Sequence, residues 1–167
     1  MTGIKELEKV INNFLEEFDL TGEMSSDFAY YYQSDKITYS LVLPQYADLY
    51  YKEFITSVWG DEFLSNIDIF LVSLLHEVGH SETYDDLEDM DIAYADDMKD
   101  MISTKLSFGV AEARRKELYF DYFALPDEYA ATAWAIAFIK ENKSKCEQIW
   151  KEMYKAIHKF YMVNEIA

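Results

Sequence analysis

Residues 66–81 read Asn66-Ile67-Asp68-Ile69-Phe70-Leu71-Val72-Ser73-Leu74-Leu75-His76-Glu77-Val78-Gly79-His80-Ser81. Eight apolar residues make the stretch hydrophobic nearly all round, which predicts a helix buried at the centre of the fold. Its end carries His76-Glu77-Val78-Gly79-His80, an H-E-x-x-H pattern that takes two of the three histidines in the chain. At about 100° per residue the two histidines fall about 40° apart, one turn above each other on one face. Two imidazoles so placed can hold one tetrahedral Zn²⁺ at about 2.0–2.1 Å and leave positions open. Glu77 flanks that face, where its carboxylate can reach a water on the metal and take its proton. The competing reading keeps the three polar side chains hydrogen-bonded inside an ordinary helical core, since unpaired polar groups there are costly. The motif favours the metal, and with it zinc-dependent hydrolysis of peptide bonds.

Upstream, Ile4, Leu7, Val10, Ile11, Phe14, Leu15 and Phe18 repeat at helical spacing and predict an amphipathic helix over 4–18. Thr2 stands as its N-cap and Thr21-Gly22 as its stop. Phe28–Tyr32 and Ile37–Leu43, joined by Gln33-Ser34-Asp35-Lys36, predict a β-hairpin that Pro44 ends. Such a strand either covers the helices or offers an edge on which an extended substrate backbone can pair. Residues 45–59 predict a helix with Tyr46, Leu49, Tyr50, Phe54 and Val58 on one stripe and Gly60 as its stop. Ser65 with Asp68 resembles a capping pair for the motif helix. Gly79 is weak in a helix interior, by about 1 kcal/mol against Ala, but a missing Cβ lets a second backbone come close.

The stretch from Asp85 to Lys105 is the most acidic, with only Lys99 and Lys105 against eight carboxylates. Leu87, Met90, Tyr94, Met98 and Met101 recur at helical spacing. Two readings stand: an amphipathic helix with a solvated acidic face, or a flap over the active site that favours basic substrates. A helix over 110–123 follows, and its Arg114-Arg115-Lys116 cluster is too small for a nucleic-acid surface and is expected to pair with nearby acid. Ser144 with Glu147 forms a capping-box pattern for a final helix bearing Ile149, Trp150, Met153, Ile157, Phe160 and Tyr161.

Zinc held by two histidines needs a further protein ligand. Glu128, in Leu125-Pro126-Asp127-Glu128-Tyr129-Ala130-Ala131, is the leading candidate: Pro126 suits a first helical position, and Ala131 permits close helix packing. The helix dipole alone also favours a first-turn glutamate. Two other ligands stand beside it. Asp86 falls where an H-E-x-x-H-x-x-G-x-x-H pattern has its last ligand, although Thr83 occupies the glycine position. His158 borders the apolar stripe of the final helix.

H-E-V-G-H followed by Glu128, Ala131, Trp134 and Ala135 in an E-x-x-A-x-x-W-A run resembles the ImmA/IrrE-type zinc metallopeptidases, a branch of the Glu-ligand zincins. The resemblance covers two short helices. It implies His76, His80 and Glu128 as metal ligands and Glu77 as general base.

The chain has 167 residues, enough for one domain with a real core. The expected fold is α+β and mainly helical, a small N-terminal hairpin or sheet packed on a helical bundle in a minimal zincin-like arrangement. Its parts are 1–60, the motif segment 61–84, an acidic insertion 85–124, and 125–167 with the third-ligand helix. A net charge of −17 argues against nucleic-acid backbones and anionic membranes as partners, and permits a basic protein or peptide substrate. Cys146 alone cannot form an internal disulfide, and no apolar run approaches 18 residues. The first ten residues also lack an apolar leader, so a cytoplasmic location is expected. Two rival classes remain: a zinc-binding module without turnover, and a metal-free acidic helical interaction protein.

Overall fold

The computed structural model describes residues 3–44, 46–64 and 66–166. Among these, seven α-helices and a three-stranded sheet form a mainly helical α+β fold. Thr2, Ser65 and the start of the helix expected from Gln45 lie outside the described residues.

Helix α3, Ile69–Thr83, is the centre on which the other elements pack, and every residue from Ile69 to Gly79 is buried. It begins where the Asp68 carboxylate accepts from the backbone N–H of Phe70 at 2.9 Å, so Asp68 is itself the N-cap. Helix α1, Gly3–Glu16, buries Leu7, Ile11, Phe14 and Leu15 and packs on α7, Lys143–Ile166. Its end differs from expectation. Asp19 takes a left-handed backbone (φ 58°), and the N–H groups of Leu20 and Asp19 bond to the carbonyls of Leu15 and Glu16. That is a Schellman stop, and it turns the chain into a strand instead of a loop.

The strand is β1, Thr21–Met24, which the expected hairpin did not include. β2, Ala29–Tyr31, pairs antiparallel with β3, Lys36–Tyr39, as expected, whereas β1 pairs parallel with β3, giving the order β1-β3-β2. β3 stops at Tyr39, short of the predicted Leu43, and the Ser40 hydroxyl donates to the Val42 carbonyl in the turn that follows. The Asn12 side chain from α1 accepts from Gly22 N–H and donates to its carbonyl. This closes the outer side of β1 at that residue, and the opposite margin of the sheet is β2.

After the sheet, Ala47–Tyr51 forms a π-helical turn that runs into α2, Lys52–Trp59. The extra residue rotates the register by about one residue, roughly 100°. The predicted stripe is corrected accordingly: Leu49 and Val58 are exposed, while Tyr51 and Ile55 are buried. Helix α4, Asp89–Ser107, brings a second correction, because Met90, Tyr94 and Met101 face outward. Its inner stripe is Ala95, Met98, Ile102 and Leu106, which packs with Leu118 and Leu125. In α5, Glu112–Phe123, Arg114 pairs with Glu117 and Lys116 pairs with Glu53, the expected fate of the basic cluster. Ser144 lies inside α7 and caps nothing; the chain turns at Asn142, between α6 and α7. Among the described residues no helix is long and apolar enough to cross a membrane.

Helix α6, Pro126–Glu141, lies against α3 with Glu128, Ala131, Thr132, Ala135, Ile136 and Ile139 on its buried side. The contact is tightest at Gly79, where a Cβ would sit 2.4 Å from the Ala131 carbonyl oxygen and 3.0 Å from its Cα. Gly79→Ala is therefore expected to destabilise the protein by about 1–3 kcal/mol despite the better helix propensity of alanine. Chemical denaturation checks this, and a stability gain would contradict the close approach.

Candidate metal centre

One face of α3 and the first two turns of α6 meet at the inner end of a cavity of about 340 Å³. α3 presents His76 and His80 one turn apart, with their rings 4.6 Å apart and perpendicular. α6 presents Glu128, whose Oε2 lies 2.8 Å from His76 Nε2 and whose Oε1 lies 3.4 Å from His80 Nε2. One donor atom from each of the three falls within 4.8 Å of the others. Ligands at tetrahedral zinc distances sit about 3.3 Å apart, so this donor set fits the ion with small side-chain adjustments. Asp86 is exposed in the short 3₁₀ turn 84–86, His158 is exposed on α7, and neither joins the group.

The outer nitrogen of His76 is held as well. Its Nδ1 lies 2.9 Å from Thr132 Oγ1 and 3.0 Å from the Tyr51 hydroxyl, and these two oxygens are 3.0 Å apart. With the proton on Nδ1, donated to this pair, the Nε2 lone pair is directed at the site, the tautomer a metal ligand needs. Thr132 is one turn beyond Glu128 on the same face of α6, so helical spacing could have found it. Tyr51 could not be found that way, because the π-turn breaks the periodicity that would have pointed it inward.

Glu77 lines the same cavity and is buried, and among the described residues none donates a hydrogen bond to its carboxylate. Burial raises its pKa above the usual carboxylate range, although the nearby imidazoles oppose the shift. Glu128 moves the other way. Burial would raise it, but hydrogen bonds and charge from His76 and His80 hold it well below the normal value. His80 is desolvated, which lowers its pKa, yet the Glu128 carboxylate more than reverses this and lifts it to about 9.

The acidic insertion contributes a residue to which the sequence reading gave no role in the site. Lys99 of α4 reaches into the site, donates to Glu128 Oε1 at 2.8 Å and to Asp127, and lies 5.5 Å from the centre of the Tyr122 ring. Burial would lower the Lys99 pKa, but the two carboxylates outweigh it and the ammonium stays charged. The Tyr122 hydroxyl donates to the same Glu128 oxygen at 3.2 Å, and burial keeps that phenol protonated far above neutral pH. The signal for Lys99 was its spacing: it follows Ala95 by four residues and precedes Ile102 by three, on the inner stripe.

At the mouth, Tyr32 and Tyr84 lie with ring centres 4.5 Å apart and their planes tilted by 33°, and Tyr30 donates to Asp35 at 3.2 Å. Ala29 and Tyr30 of β2 form one wall. Neither protein-family models, nor curated proteins, nor solved structures match this chain.

Zinc requires neutral imidazoles, and His80, with its pKa near 9, is mainly protonated at neutral pH in the metal-free protein. Zinc uptake near pH 7.5 is therefore expected to release about one proton, with apparent affinity rising about tenfold per pH unit up to about pH 9. Calorimetry in buffers of different ionisation enthalpy measures this, and a proton count near zero would contradict the His80–Glu128 pairing.

Proposed function

We propose that the chain is a zinc-dependent peptidase in which His76, His80 and Glu128 hold the metal and Glu77 is the general base. The observation that carries the reading is a single one. Three ligand-type side chains converge within 4.8 Å at the end of a cavity whose wall also presents a buried carboxylate with no hydrogen-bond donor among the described residues. Three protein ligands leave a fourth position open, as catalytic zinc sites do. The ion supplies Lewis acidity when bound, polarising the scissile carbonyl and lowering the pKa of water.

The chain's own residues supply the remaining parts. Glu77 accepts a proton from the attacking water as its oxygen forms the new bond to the carbonyl carbon. It then passes that proton to the amide nitrogen as the C–N bond breaks. Burial raises its pKa, which makes it a stronger base toward the attacking water. Thr132 and Tyr51 fix the ring of His76. Edge strand β2, with Ala29 and Tyr30 on the cavity wall, offers backbone groups on which an extended peptide can pair.

The site resembles that of the ImmA/IrrE-type metallopeptidases in its ligand types. A net charge of −17 favours a basic peptide or protein as substrate and disfavours nucleic acid or anionic membranes. The single, buried free cysteine, Cys146, fits a reducing compartment, and we place the protein in the cytoplasm.

Glu77→Gln is expected to lower hydrolysis of basic test peptides by about 10²–10⁴-fold while leaving one zinc per chain. Mass-spectrometric cleavage assays with metal analysis read both quantities. Full activity in this variant would refute the general base. Zinc binding without cleavage by the wild type would leave a metal-binding module.

A further inference from the structure

Hydrolysis of an amide moves charge onto the carbonyl oxygen, and a donor aimed at that oxygen is usually worth more than any other single group. Resting on the peptidase reading above, the question is which side chain of this cavity has a donor left to give. The inner tyrosines do not. Tyr46 donates to Asp27 at 2.7 Å, Tyr122 donates to Glu128, and Tyr51 belongs to the closed set with His76 and Thr132. Tyr30 is engaged with Asp35, nearer the mouth. Ser73, one turn before Glu77, lines the cavity, but its Oγ, unpartnered among the described residues, is buried in the wall and is a neutral donor.

Lys99 differs from all of these. An ammonium carries three N–H donors, and Asp127 and Glu128 engage two of them. The side chain keeps about a quarter of its surface exposed, and among the described residues it is the only lysine or arginine lining the cavity. Its nitrogen is 2.8 Å from an oxygen of the proposed ligand Glu128, so the ammonium lies beside the proposed reaction centre instead of at the rim. The two carboxylates and the ring face of Tyr122 fix its position before substrate arrives, which is the preorganisation that makes such a donor effective.

We infer that Lys99 is a catalytic residue of the proposed hydrolysis, its remaining N–H donating to the oxyanion that develops on the scissile carbonyl. The acidic α4 segment then has a purpose beyond a solvated face, because it carries this one cation into the site. As the C=O electron pair moves onto oxygen, the ammonium forms a hydrogen bond to it. As the pair returns and the C–N bond breaks, that bond weakens again, and no proton leaves Lys99.

The test uses the full chain loaded with zinc, and variants Lys99→Met and Lys99→Arg. The probes are a peptide phosphoramidate, which mimics the tetrahedral anion, and the parent amide peptide measured on Glu77→Gln background. Calorimetric titration is expected to show Lys99→Met weakening the phosphoramidate about 10²-fold, while the amide changes less than about threefold. Lys99→Arg should recover most of the loss, and zinc content should be unchanged in both. Equal weakening of both probes, or of neither, would overturn the inference and leave the peptidase reading intact. Loss of zinc from Lys99→Met would overturn it too, making the residue a support for Glu128. If the effect disappears when the peptides are amidated at the C-terminus, Lys99 reads a terminal carboxylate and the inference is wrong. A wild type that takes up zinc but binds no phosphoramidate would sink the peptidase reading and this inference together.

Discussion

The contact between Gly79 and Ala131 is the constraint on which the site depends. Two histidines on one helix can present two metal ligands, but the third must come from another backbone. That backbone has to lie close enough for a glutamate with only two methylenes to bridge the gap. A glycine facing the α6 backbone and an alanine at the point of contact provide that approach, and a Cβ on Gly79 would collide with the Ala131 carbonyl. From this contact, Glu128 falls one turn before and Thr132 is the next residue, and they meet the Nε2 and Nδ1 nitrogens of His76. The stiffness of two packed helices then does what a loop would do less reliably: it holds the three side chains close together.

Electrostatics explains why the arrangement survives burial. Glu77, Glu128, His76 and His80 are placed together in a mostly apolar interior, which is costly unless charges compensate. Glu128 is compensated by the imidazoles, by Lys99 and by the Tyr122 hydroxyl. Glu77 has no hydrogen-bond donor among the described residues, the imidazoles offset its burial only in part, and its pKa is raised. The two carboxylates therefore differ in kind, one stabilised as an anion and one readily protonated. This is the separation that the proposed metal ligand and proposed proton carrier require.

Much of this was legible in the sequence, and the rest was hidden for identifiable reasons. His76, Glu77 and His80 declare themselves by spacing, and Glu128 by Pro126 before it and Ala131 after it. The mainly helical α+β fold followed from periodicity. Strand β1 did not, because Thr21-Gly22-Glu23-Met24 is short, contains glycine and reads as a helix terminator. Tyr51 was obscured by the π-turn, and the inner face of α4 by methionines that mimic a core stripe while facing solvent. Periodicity assumes that apolar residues point inward, and Met90 and Met101 break that assumption. Lys99 was passed over for the same reason.

The central claim is that three side chains from two helices hold one zinc ion. Metal analysis of the purified protein, alongside His76→Ala and Glu128→Ala, tests it most directly. The account predicts about one zinc per chain in the wild type and its loss in both variants. Zinc kept in Glu128→Ala, or absent from a wild type that has been offered the metal, would contradict it.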